Sequence, residues 1–204
     1  MRLKIFNNNI FDENAYLVTF KDYSILIDPG FNFDDISLYI KEHNLNLTKI
    51  LLTHGHIDHL GDLDKFVGEY KDLKVYIHED DAEMLKDSKK NASYDFGIAK
   101  TYDIKNLVLT HDKDEIDNIT FIHTKGHSKG SQIIKIENCL FTGDTLFNGS
   151  IGRTDLYGGS SIDIYKSLDM LISKFSNSLI IYPGHYQKST LKEEILNNPF
   201  LNRR

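Results

Sequence analysis

Short apolar runs and helical stripes alternate along this chain. Runs at residues 15–20, 24–27, 49–52, 75–77, 120–123, 132–136, 139–141 and 179–182 are too brief for helices and rich in Val, Ile, Leu, Phe or Tyr, which predicts strands packed into a sheet core. Between some of them, apolar residues recur every three or four positions: Phe33, Ile36 and Ile40; Leu60, Leu63, Val67 and Tyr70; Ile164, Leu168, Leu171 and Phe175. That spacing predicts helices with one buried face, the last capped at its start by Ser160 with Asp163 three residues on. Some strands follow one another in hairpin order and others are separated by a helix. This mixture predicts two sheets with helices on their outer faces, an α/β layer architecture, and fits a doubly wound parallel sheet less well. Residues 86–106 are the most polar and least periodic stretch and read as a long surface excursion, in which Tyr94, Phe96 and Tyr102 could face a substrate or, more plainly, anchor the loop.

The polar residues are as patterned as the apolar ones. In THGHIDHLGD, His54, His56, Asp58 and His59 fall within six positions. Their spacing is not that of a helical HExxH pair, and Gly55 interrupts a helical start, so the cluster is assigned to a loop. Imidazole nitrogen suits zinc and iron, and carboxylate oxygen completes or bridges a shell. Two metals about 3.5–4 Å apart can share one activated hydroxide. Three later apolar runs end in the same way, at Gly126-His127, Gly143-Asp144 and Gly184-His185. Strands that each deliver a Gly-adjacent His or Asp just past their end would gather ligands at one edge of the sheets.

Taken together, THGHIDH, TKGHSKGS, FTGDTLF and YPGH resemble the metallo-β-lactamase superfamily, and FNGSIGRTDLYGG and NPFL are similar to the small single-domain bacterial relatives of glyoxalase II. The resemblance implies a four-layer αββα sandwich. It also implies two divalent metal ions, zinc first and iron or manganese as substitutes, with His54, His56 and His127 on one, Asp58, His59 and His185 on the other, and Asp144 between them. The implied reaction is hydrolysis of a small-molecule thioester such as S-D-lactoylglutathione, with Asp58 orienting the attacking hydroxide and Arg153 near the substrate, where its planar fork could bind a carboxylate or else form a surface ion pair. Asp28 either supports the ligands from behind or is a turn carboxylate. The chain departs from the family in TKGHSKGS, where Thr-Pro-Gly-His-Thr-Pro-Gly-Ser is commoner, and in PGHYQKST. At 204 residues it is also expected to be without the C-terminal helical domain that helps glyoxalase II hold glutathione.

Composition narrows the classes. A chain of 204 residues with 40% hydrophobic and 26% charged positions is expected to form a single globular domain over 1–204. Its net charge of −6 argues against a phosphate-neutralising surface, so no nucleic acid is expected as partner, and no apolar run suits a membrane span. Cys139 is the sole cysteine and sits among apolar neighbours, which makes it a buried structural thiol in a reducing compartment. The first residues lack the apolar core of a secretory signal, and the expected location is cytoplasmic.

Four rival readings compete with this one. Gly126-His127-Ser128-Lys129-Gly130 satisfies G-x-S-x-G, with Asp144 or Asp163 and then His185 in the order of a serine hydrolase, but residues 132–136 read as a strand where that elbow needs a helix. A mononuclear iron persulfide dioxygenase would use His54, His127 and Asp144 alone. Lactamase activity fits poorly without a secretion signal or a ligand Cys. A non-catalytic, metal-stabilised binding module conflicts with a His- and Asp-rich set that leaves room for water. His43, His78, His111 and His123 are read as surface or supporting residues.

Overall fold

The structure, a computed structural model, describes residues 1–8 and 10–202. In chain order the elements are β1 (Arg2–Asn7), β2 (Asn14–Thr19), β3 (Ser24–Ile27), α1 (Phe33–Glu42), β4 (Leu47–Leu51), α2 (Ile57–Leu60), α3 (Leu63–Glu69), β5 (Lys74–His78), a 3₁₀ segment (Glu79–Lys86), β6 (Leu107–Thr110), β7 (Glu115–Ile116), β8 (Ile119–His123), β9 (Gln132–Ile136), β10 (Cys139–Gly143), α4 (Ser161–Lys174), β11 (Ile180–Pro183), β12 (Ser189–Thr190) and α5 (Leu191–Asn197). One sheet runs β1-β2-β3-β4-β5-β6 and the other β12-β11-β10-β9-β8-β7. The first is antiparallel through β3 and parallel from there on, and the second is antiparallel except for the β10–β11 pair.

Strand periodicity of two explains the layering. On β2 and β3, Ala15, Leu17 and Leu26 face an outer core with Ile36, Ile40, Leu63 and Phe66, while Tyr16, Val18, Ile25 and Ile27 face inward. On the second sheet, Phe121, Ile134, Ile136, Cys139 and Phe141 point inward to meet them, and Ile122, Ile133, Leu140 and Ile181 point outward to Leu168, Leu171 and Leu191. The result is the expected αββα sandwich, and Cys139 is a buried residue of its middle layer. Each large side chain so buried contributes about 1.5–3 kcal/mol.

Helix ends follow local chemistry. Ser160 Oγ accepts from Asp163 N at 3.2 Å, as its spacing predicted. Thr190 and Glu193 form a capping box that starts α5, an element the periodicity did not reveal because only seven residues follow. The stripe at residues 60–70, read as one helix, is two: Gly61 adopts φ +40 and lies against the Gly30 backbone, where a Cβ would not fit. Strands β1, β6, β7 and β12 also carry no clear sequence signature. They are sheet-edge or near-edge elements with few buried residues, so their patterns are weak.

Residues 86–106 are more than a surface excursion. Asn91 is buried, with its Nδ2 donating to the carbonyls of Met84 and Lys100 at 3.0 Å each, and its own carbonyl accepts from Ile57 N at 2.9 Å. Tyr102 is buried in the outer core and donates to the Gly61 carbonyl at 2.8 Å. Tyr102 therefore anchors the segment, whereas Tyr94 and Phe96 are exposed, Phe96 packing edge-on against Phe11.

Candidate metal centre

Seven side chains predicted as ligands meet at one edge of both sheets. Strand β4 ends at Leu51 and the next residues carry His54 and His56. The following turn is helical rather than loop: α2, a single turn, carries Asp58 and His59. The second sheet supplies the rest, with His127 between β8 and β9, Asp144 directly after β10 and His185 just after β11. Gly184 is needed for this approach, since a Cβ there would press on the Asp144 carboxylate and the His59 ring.

Outer partners decide which ring nitrogen faces inward. Nδ1 of His127 is 2.8 Å from the Arg153 carbonyl, and Nδ1 of His185 is 3.3 Å from that of Asp12. A carbonyl only accepts, so the proton is on Nδ1 and Nε2 presents its lone pair. Asp28 does the same for His59, at 2.9 Å from Nδ1, and its carboxylate also accepts from Thr53 N at 2.8 Å and Thr53 Oγ1 at 2.6 Å. With its proton committed to Asp28, the Thr53 hydroxyl accepts from His54 Nδ1 at 3.1 Å. Asp28 is therefore a supporting residue that orients two ligands, not a plain turn carboxylate.

The inward atoms form two convergent sets. His127 Nε2 lies 3.2 Å from His54 Nε2 and 2.8 Å from His56 Nδ1. Neutral ring nitrogens with facing lone pairs repel, whereas ligands at 2.0–2.1 Å around a tetrahedral ion stand about 3.3 Å apart. Asp58 Oδ2 lies 3.2 Å from His185 Nε2 and 3.8 Å from His59 Nε2. Asp144 joins the sets, at 3.2 Å from His59 Nε2, 3.5 Å from His127 Nε2 and 3.7 Å from His185 Nε2. His59 Nε2 and Asp144 Oδ1 are buried without a hydrogen-bond partner, a costly state for polar atoms that a cation would relieve. The residues present fit metal binding.

Electrostatics differ between the sets. Burial first, then the neighbouring imidazoles, hold His54 well below the usual histidine range, and burial with His127 brings His56 down to about 3. Burial would lower His59 and His185 too. Asp58, Asp144 and Asp28 outweigh it at His59, and Asp58 and Asp144 outweigh it at His185, so both are raised. Burial would raise Asp58 and Asp144, but the His59 charge foremost keeps both carboxyls low.

Other predicted residues fall out differently. Arg153 is exposed and makes a two-pronged ion pair with Asp155, at 2.7 and 2.8 Å, which is the surface alternative. Ser128 is buried and donates to Asp81 Oδ2 at 2.6 Å, and the segment runs on into strand β9, so the serine-nucleophile reading fails. His78, Asp80 and His123 lie close enough to hold an ion. Yet the His78 and His123 rings stack face to face, centroids 4.0 Å apart and 21° between planes, so their in-plane lone pairs run side by side and do not converge. His43 stacks on Tyr39, and His111 pairs with Asp114 and Glu79 at the surface.

Asp81 was missed. Wholly buried, it accepts from Gly55 N at 3.1 Å, Gly130 N at 2.7 Å and Ser128 Oγ, and so ties the His54–His56 loop to the His127 loop. Burial nevertheless outweighs these bonds and raises its carboxyl. The available signal was an acidic residue on the same face as Met84 and Leu85.

Known proteins share this fold. The metallo-β-lactamase superfamily profile matches residues 9–185. The chain is 35% identical to a probable metallo-hydrolase, YqgX, of Bacillus subtilis, covering 93% of this chain and 92% of that one. It is 28% identical to the hydroxyacylglutathione hydrolase GloC of Haemophilus influenzae, covering 99% of each. Among solved structures, the BLEG-1 B3 metallo-β-lactamase superposes with a TM-score of 0.91 at 31% identity, covering 98% of this chain and all of that one. On sequence, fold and the clustered His and Asp residues alike, the chain belongs to the metallo-β-lactamase superfamily and is a metal-dependent hydrolase by kind.

Proposed function

We propose that the protein holds two divalent ions, zinc or else iron or manganese, and hydrolyses a thioester of a small thiol, S-D-lactoylglutathione or a related conjugate. The observation that carries this reading is Asp144, whose carboxylate is shared by two complete ligand sets. A second full set in Asp58, His59 and His185 favours a dinuclear hydrolase over a mononuclear iron dioxygenase. The likeness to GloC over the whole chain supports a thioester.

When bound, divalent metals supply Lewis acidity and bring the pKa of water toward 7. The chain's own residues do the positioning. Asp58, kept ionised by His59 and His185, accepts a hydrogen bond from the attacking water and aims its lone pair. Asp28 and Arg153, through its carbonyl, fix the tautomers of His59 and His127. The Arg153 guanidinium reaches a substrate carboxylate only by releasing Asp155.

A β-lactam is the second reading, supported by the likeness to BLEG-1. The test is hydrolysis of S-D-lactoylglutathione and of a chromogenic cephalosporin by protein of measured metal content, with a His54→Ala control. Metal-dependent thioester turnover that disappears in the control is expected. Turnover of the cephalosporin alone would replace the thioester reading, and oxygen uptake on a persulfide with one iron per chain would replace hydrolysis.

A further inference from the structure

A cavity of about 590 Å³ opens on the His185 side of the centre, lined among the described residues by Asn7, Asp12, Asn14, Asn148, Tyr186 and Gln187. It is tied to the ligands directly. The Asp12 carbonyl faces His185 Nδ1, Asn14 N donates to the Gly184 carbonyl at 2.8 Å, and Asn14 Nδ2 donates to the carbonyls of Pro183 at 3.1 Å and Tyr186 at 2.8 Å. Asn7 Nδ2 in turn donates to Asn14 Oδ1 at 3.2 Å. The Phe147 ring, beside Asn148, stands edge-on to both His185 and Tyr186.

The chemistry of the lining is one-sided. With Asn14 committed to the backbone and to Asn7, the carboxamides of Asn7, Asn148 and Gln187 and the phenol of Tyr186 offer donors and acceptors, the match for hydroxyl and amide groups. The charged group among the described lining residues is the Asp12 carboxylate, and no lysine or arginine is among them. A carboxylate entering here would meet a like charge with no cation to offset it. On the other flank, the Arg153 guanidinium is already neutralised by Asp155. A three-carbon acyl group would also leave most of this volume empty, so the cavity suits the larger, thiol-bearing part of a substrate.

Building on the thioester reading above, we infer that this cavity receives the carrier thiol and selects one that is uncharged and rich in amide or hydroxyl groups over an anionic carrier such as glutathione. Asp12 supplies the discrimination by repulsion, and the carboxamides supply the attraction.

The experiment compares S-lactoylpantetheine, neutral and bearing two amides and hydroxyls, with S-lactoylglutathione on metal-replete protein. It is repeated with Asp12→Asn, which removes the charge and tolerates the positive φ of 58 at that position, and with exposed Asn148→Lys, which adds a cation. Dividing each variant's kcat/KM ratio by the parent's cancels the intrinsic reactivity of the two esters. A pantetheine preference of about tenfold or more, narrowed several-fold by each variant, is expected. Glutathione used as well as pantetheine overturns the inference and leaves the thioester reading standing. A pantetheine preference that neither variant moves overturns the assignment to this cavity. Turnover of neither ester removes the thioester reading, and this inference with it.

Discussion

His54, His56 and His127 converge with three imidazoles and no carboxylate of their own, whereas Asp58, His59 and His185 bring one, with Asp28 standing behind His59. In the first set burial and the neighbouring imidazoles hold His54 and His56 well below the usual histidine range, and the loops that carry the rings are tied together through Asp81. In the second, the carboxylates that raise His59 and His185 would also attract a cation, so an ion competes there with protons. The same ligand chemistry is thus supported by geometry on one side and by charge on the other.

Asp144→Ala should erase the contrast by removing the group both sets share. Metal content should fall at both, and affinity and turnover should drop by more than the roughly 100-fold that loss of an outer partner can cost. Metal analysis that finds one ion still bound with full affinity would mean the sets are independent. Asp28→Asn should weaken the carboxylate-bearing set by about 10–100-fold while the imidazole set changes little, read by stepwise metal titration. Asp81→Asn should act on the opposite side, by roughly tenfold at the imidazole set, because it loosens the tie between the loops of His56 and His127. Equal effects of the two variants on both sets would dissolve the distinction. Smallest of all, Ser128→Ala should lower stability by about 2 kcal/mol through the lost bonds to Asp81 and Ser131 and leave turnover within about twofold.

Much of this was readable in the residues. The ligands were visible because metal chemistry restricts them to residue types such as His and Asp, here clustered or set beside glycines, and the interior strands because burial on both faces leaves apolar runs such as residues 15–18. What stayed hidden depends on partners distant in sequence. Asp81 looks like an ordinary acid until the fold brings Gly130 to it across 49 positions, and Asp28 stands between two readings until His59 meets it across 31. Edge strand β1, with four of its six residues exposed, has no periodic core face to betray it. The split at Gly61 follows from the close Gly30 backbone, which no local pattern announces.

The ligands of each set come from both sheets, and that origin would give a bound ion a second task. An ion held by His54, His56 and His127, or by Asp58, His59 and His185, is a rivet through the seam where the sheets meet. Free ion at 100 times its dissociation constant adds about 2.7 kcal/mol to the folded state, a sizeable share of a domain's total. Starved of metal, the protein should part first along this seam while the apolar layer between the sheets still holds, so that supply of ions governs how long the chain survives as well as whether it works.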